Sequence, residues 1–231
     1  MKNAGTALSG AAFFDIDETL ITVKSMFRFL DYYYQEAGFP PSKYAESLEW
    51  LNGMLASGIP RAQANLKYYE LFAGYDAQRV AEIGRAWFAR ELSGGALFRP
   101  EVLGALRAHQ AADELIVLVS GSFGACVDPI REHVGADVLL CTIPEIVAGK
   151  YTGRALIPMI GDMKAAAVRE LMNNRGLRAQ DCHAYGDHSS DLPFLEAVAD
   201  PVVVGDDPVL VDHALRRSWR QLPERRPTHE S

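Results

Sequence analysis

Cysteine is scarce in this chain of 231 residues. Cys126, Cys141 and Cys182 are odd in number, far apart and outside any zinc-ligand spacing. Neither a disulfide framework nor a sequence-evident zinc site is expected; buried structural thiols in a reducing compartment are. Long apolar runs are missing as well, since none approaches the ~18 residues that span a bilayer. At the N-terminus, "MKNAGTALSGAAFF" meets Asp15 before a signal-peptide core can form. These absences lead to the expectation of a cytoplasmic protein with no stable membrane insertion. A basic excess is also lacking: Lys and Arg total 23 against 30 Asp and Glu, for a formal charge of −7. No basic stripe is available to follow a phosphate backbone, so nucleic acid is not an expected partner. The Arg-rich end, "RRSWRQLPERRPTHES" from Arg216, carries acids and prolines but no apolar face. It is expected to be a solvated, partly disordered end and not a membrane-surface anchor.

What is present suits one large domain, or a core with a substantial insertion, that buries a real hydrophobic interior. Short apolar runs recur at Ala11–Ile16, Leu115–Val119, Val138–Cys141, His183–Tyr185 and Val202–Val204. Their continuous apolarity predicts strands covered on both faces, hence a mainly parallel α/β sheet in three layers. Between the first two runs, from about Met26 to Arg90, the pieces "SMFRFLDYYYQEA", "SKYAESLEWLNGMLAS", "PRAQANLKYYELFAG" and "DAQRVAEIGRAWFAREL" repeat apolar residues every three or four positions. Ser42 and Asp76 stand where N-caps belong, so a helical insertion is predicted. Tyr32–Tyr34 and Tyr68–Tyr69 fit helix packing better than a binding surface. The Ala-Gly of "EIVAGKYTGR", between extended flanks, predicts a hairpin.

In an open parallel sheet, ligands bind outside the carboxyl ends of the strands. Those ends present Asp15 and Asp17, then Ser120, Gly121 and Ser122, then Asp187 with Asp191 nearby. Three carboxylates around one point repel unless a cation neutralises them, and an all-oxygen ligand set suits Mg²⁺. Ser120 and the amides of "SGSFG" ahead of a helix, with Lys164 opening another, make a site for phosphate oxygens. Taken singly, each motif is equally an ordinary strand-end turn, helix entry, solvated lysine or N-cap.

Together, "DIDET", "VLVSGS", Lys164 and "GDHSSD" resemble, in order, the four motifs of the haloacid dehalogenase superfamily. The helical insertion and the "GKYTG" hairpin make the chain most similar to its phosphoserine-phosphatase-like branch (subfamily IB). The resemblance implies a Rossmann-like core (1–22 and 94–231) with an inserted helical cap of the C1 type (23–93). It implies a Mg²⁺-dependent phosphomonoesterase in which Asp15 takes the phosphoryl group as an aspartyl-phosphate and Asp17 acts as acid and base. Asp15, the Asp17 carbonyl and Asp187 would hold the metal, with Asp191 acting behind them or through a water. Ser120, Gly121, Ser122 and Lys164 would hold phosphoryl oxygens, and Thr19 would orient the loop.

The substrate expected is a small phosphate monoester. In the phosphoserine phosphatases an acidic residue after the first motif pairs with the substrate ammonium; here that place falls at or near Lys24, which would repel it. Ser190 replaces a common Asn in the fourth motif. A sugar, polyol or cyclitol phosphate is therefore preferred over phosphoserine, with a lysophospholipid phosphate, a phosphomutase reaction or a silent binding protein as the rivals. Lys24 meets a second anionic or hydroxyl-rich part of the substrate or lies on the surface. His188, Ser189 and Ser190 touch substrate or face water, and His133, His213 and His229 are expected at the surface.

Overall fold

The computed structural model describes residues 9–223. The first apolar run, AAFFD, forms strand β1 (Ala11–Asp15), every residue of which is buried. β2 (Leu115–Phe123), β3 (Val138–Thr142), β6 (Cys182–Gly186), β7 (Asp200–Val204) and β8 (Arg220–Leu222) join it in one six-stranded sheet of order β3-β2-β1-β6-β7-β8. Every neighbouring pair in this sheet is parallel. Side chains alternate across β1. Ala12 and Phe14 enter one core with helices α5 (Pro100–Ala111) and α6 (Gly124–Val134), whereas Ala11 and Phe13 enter another with α7 (Asp162–Arg175), α8 (Leu192–Leu195) and α9 (Pro208–Arg217). Burial on both faces explains the unbroken apolar runs, and the result is a three-layer α/β fold of Rossmann-like type.

Two element boundaries depart from the sequence-based expectation. β2 continues past Val119 through Ser120, Gly121 and Ser122 to Phe123, with a register shift between Ser120 and Phe123, so these residues are bulged strand and not a free loop. The end beginning at Arg216 is structured as far as it is described: Arg216 and Arg217 close α9, and Arg220–Leu222 pairs with Val202–Val204 as an edge strand. His229 and the rest of that tail lie outside the described residues.

Between β1 and β2 the chain forms α1 (Ser25–Glu36), α2 (Ser42–Ala56), α3 (Arg61–Tyr68), a short turn (Tyr69–Phe72) and α4 (Ala77–Ser93). The Asp76 carboxylate caps α4 by accepting from the Arg79 amide at 2.8 Å. Ser42 instead is the first helical residue of α2 and makes no side-chain cap, Pro41 taking the cap position. The tyrosines pack: Tyr33, Tyr34, Tyr68 and Tyr69 are buried. Phe123, at the end of β2, is ringed by Phe29 (5.9 Å), Tyr69 (5.5 Å) and Phe72 (5.4 Å) between centroids, which ties the helices to the sheet. A second tie is backbone contact. A Cβ on Gly84 of α4 would fall 1.9 Å from the Ala125 carbonyl oxygen of α6, so only glycine permits this helix approach.

The expected hairpin is β4 (Pro144–Val147) and β5 (Lys150–Ala155), turning at Ala148 and Gly149, both at positive φ. It grips the helical layer through backbone bonds from Gly74 to the Tyr151 carbonyl (2.8 Å), Tyr151 to that of Tyr75 (2.9 Å) and Ala77 to that of Gly149 (2.9 Å).

Candidate active site

β1 ends at Asp15, and the chain then turns through Ile16–Leu20 with Glu18 at φ 59°. That turn aims Asp15 and Asp17 off the carboxyl end of the central strand. Asp15 is almost wholly buried, and Lys164, the third residue of α7, sends its Nζ to within 2.5 Å of Asp15 Oδ1 and 2.7 Å of Asp191 Oδ1. Asp187 follows β6, and its Oδ1 accepts from Thr19 Oγ1 at 2.7 Å. One oxygen each from Asp15, Asp187 and Asp191 lie within 4.8 Å of one another. The Asp17 carboxylate is held by the Ser25 amide at 2.7 Å, at the start of α1.

Burial dominates the electrostatics. It raises Asp15 well above the ordinary carboxylate value, a shift that Lys164 opposes and Asp191, Asp187 and Asp17 reinforce. Burial raises Asp17 too, with Ser25 opposing, and raises Asp187 to about 6, with Thr19 opposing. For Lys164, burial disfavours the ammonium, but Asp15 and Asp191 outweigh it and raise its pKa. With Asp15, Asp187 and Asp191 ionised, one lysine neutralises one charge in three. The remaining two match a divalent cation, and three carboxylates with no soft donor fit a hard one such as Mg²⁺.

The motif on β2 is placed differently. Ser120 and Ser122 are fully buried, and Ser120 Oγ accepts from the Ser122 amide at 3.0 Å. Of the three residues of this motif, Gly121 lines the cleft. Its carbonyl accepts from Asn65 Nδ2 (3.0 Å), Tyr69 OH (2.9 Å) and Thr142 Oγ1 (3.0 Å), three donors from two separate parts of the chain.

Asp15, Asp17, Lys164, Asp187 and Asp191 floor a cleft of about 280 Å³ whose far wall comes from α1, α2 and α3. Lys24 is there, half-exposed and paired with Glu18 at 3.3 Å. His188 and Ser190 also line it. Sequence reading missed the wall residues Met26, Leu51, Arg61 and Asn65, which are distributed over three helices, whereas Tyr68, expected chiefly as a packing residue, lines the cleft as well. Arg61 directly follows Pro60 at the start of α3, and the only sequence sign of it is that N-terminal position. Asn65 Oδ1 is buried and has no hydrogen-bond partner among the described residues.

The three thiols are free, Cys126 and Cys182 buried and Cys141 partly so, with burial raising the pKa of each. His133 is exposed, and His213 is half-buried against Trp219. No helix among the described residues is long and apolar enough to cross a membrane.

Comparison with known proteins agrees with this geometry. A probable phosphatase of Mycobacterium tuberculosis is 32% identical over 94% of this chain and 76% of its own. A crystal structure of a Bordetella pertussis Tohama I protein of unknown function is 27% identical, covers 91% of this chain and 96% of its own, and superposes with a TM-score of 0.81. A phosphoserine phosphatase carrying a phospho-aspartyl intermediate analogue shares the fold at 16% identity, with a TM-score of 0.65 over 89% of this chain and 90% of its own. The family model for haloacid dehalogenase-like hydrolases matches residues 12–196. The chain belongs to the haloacid dehalogenase-like hydrolases.

Proposed function

We propose that the protein is a Mg²⁺-dependent phosphomonoesterase that works through an aspartyl-phosphate on Asp15. The observation that carries this reading is the Lys164 ammonium bridging Asp15 and Asp191 beside Asp187, at the floor of the cleft. In this reading residues 23–93 are a cap over a core of 1–22 and 94–231.

Asp15 attacks phosphorus as its P–O ester bond breaks. Asp17, whose burial favours the protonated form, gives its proton to the departing oxygen. It then takes a proton from the water that attacks phosphorus and releases Asp15. The Ser25 amide fixes Asp17 for both transfers. Lys164 and the Gly121 backbone flank the phosphoryl group, with Ser120 and Ser122 shaping the strand bulge behind it. Asp15, the Asp17 carbonyl, Asp187 and Asp191 would hold Mg²⁺, with Thr19 orienting Asp187. The ion would supply positive charge opposite the phosphoryl oxygens.

The leaving group we favour is hydroxyl-rich: a sugar, polyol or cyclitol. Glu18, Lys24, Asn52, Arg61 and Ser190 surround it, and Asn65 Oδ1 offers an unmatched acceptor to a hydroxyl. A serine ammonium would meet Lys24 and Arg61. A lysophospholipid phosphate is the second reading, favoured by the apolar wall of Phe27, Leu51, Leu55 and Ile160.

The test is phosphate release from a panel of phosphoserine, sugar, polyol and cyclitol phosphates and lysophosphatidate, with Mg²⁺ or EDTA, and with Asp15→Asn as control. Release from the hydroxylated esters that EDTA and Asp15→Asn abolish is expected. An isomerised sugar phosphate without free phosphate would replace the reading by a mutase, and release that survives Asp15→Asn would overturn it. A substrate profile unchanged by Lys24→Glu would remove Lys24 from recognition.

A further inference from the structure

A second cluster of ligating side chains lies at the opposite edge of the sheet, where the strands begin. His109 sits near the end of α5, Glu114 just ahead of β2, and His183 is the second residue of β6. One nitrogen from each histidine and a Glu114 oxygen lie within 4.8 Å of one another. His183 and Tyr185, two positions apart on one strand, face the same side as Phe14, against which Tyr185 stacks at 4.4 Å.

The hydrogen bonds set the orientation of both rings. His183 Nδ1 is 2.7 Å from the Asp200 carboxylate, an acceptor only, so this nitrogen carries the proton. The other nitrogen, His183 Nε2, faces Glu114 Oε2, 3.7 Å away. His109 Nδ1 lies 2.7 Å from the same oxygen, while its Nε2 meets Tyr185 OH at 2.9 Å. Two imidazole nitrogens thus converge on one carboxylate oxygen. Arg220 holds Asp200 at 2.9 Å. A carboxylate holding the outer nitrogen of a histidine is the arrangement that orients metal-ligating imidazoles.

We propose that His109 Nδ1, Glu114 and His183 Nε2 form a binding site for one divalent transition cation of the zinc type, separate from the carboxylates at the other end of the strands. Two imidazoles and one carboxylate are a zinc donor set that keeps a fourth position for water, and the three side chains are partly exposed, leaving an entry path. Mg²⁺ prefers oxygen donors and does not compete. The ion would clip α5 to β2 and β6.

The test uses the untagged protein, stripped with EDTA and returned to excess Mg²⁺ so that the catalytic carboxylates are supplied. Zn²⁺ is titrated by calorimetry and thermal denaturation, and Co²⁺ by visible absorption. One saturable site is expected, with a midpoint rise of about 5 °C or more at 100-fold excess over Kd. His183→Gln and His109→Gln, each checked for fold by circular dichroism and phosphate release, should abolish it. Asp200→Asn should weaken it about 10–100-fold. Asp187→Asn should leave it intact. Absence of saturable Zn²⁺ binding, retention in both histidine variants, or loss in Asp187→Asn would each overturn the proposal.

Discussion

Arg61, the first residue of α3, places its Nη1 2.5 Å from Nε2 of His188, in the loop after β6. His188 Nδ1 accepts from the Ser190 amide at 3.0 Å, so the proton of the neutral ring sits on Nε2. Burial and the Arg61 charge both lower the His188 pKa, which keeps the ring neutral. Two N–H donors therefore meet across the mouth of the cleft, an arrangement relieved when they part to share an acceptor.

That acceptor is expected to come from the substrate. Arg61→Ala should raise KM for the preferred ester about 10–100-fold, the size of a lost charged hydrogen bond. Turnover of a plain aryl phosphate should change little. Steady-state kinetics on both substrates decide it; a fall in kcat on both with KM unchanged would place Arg61 in the chemistry instead.

Lys164→Gln should remove catalysis and stability together. Losing a donor at the phosphoryl oxygens costs about 10²–10³ in kcat. Asp15 and Asp191 would lose the charge that pairs them, a destabilisation of about 3–5 kcal/mol in the metal-free protein. Mg²⁺ should restore part of the thermal midpoint but not the rate. A variant as stable as the parent in EDTA would contradict this.

Asp187 sets a pH window. Its folded pKa of about 6 lies above the ordinary carboxylate value, so the folded state binds the proton more tightly. The stability this group contributes is complete below the unfolded value, near 4, and is lost as pH rises through about 6. Without Mg²⁺, the thermal midpoint should fall across that window. Because Mg²⁺ needs the ionised acid, its stabilising effect should be larger at pH 7 than at pH 5. Equal midpoint shifts at the two pH values would refute the assignment.

Gly84→Ala tests the fit of α4 on α6. The added methyl would meet the Ala125 carbonyl, a backbone atom, so a loss of about 1–3 kcal/mol or more is expected in denaturant melts. The folded fraction should keep its kcat, since the position lies outside the cleft.

The sheet and most of the acidic floor of the cleft were legible in the sequence for one reason: apolar runs lead into acidic or hydroxyl residues that nothing local requires. Phe14 to Asp15 and Gly186 to Asp187 announce both the strand and the site at its end. β8 was not legible, because Arg220, Gln221 and Leu222 form no apolar run and become a strand only by pairing with Val202–Val204. Ser120 and Ser122 were visible as a motif, but their burial within a strand that continues through a bulge was not. Arg61 and Asn65 were invisible for a different reason. They reach the carboxylates only through the packing of α3, and no spacing rule links them to Asp15.

The Gly121 carbonyl, with its three donors, makes this part of the molecule a fulcrum. Asn65 and Tyr69 anchor the C-terminal half of α3 and the turn after it to a backbone atom beside the phosphoryl position, while Arg61, a turn earlier, touches the opposite lip at His188. In the proposed reading, an outward swing of the helical layer would turn about Gly121, with the Arg61 end moving farther than the Asn65 end, so that an ester could enter without the floor losing its shape.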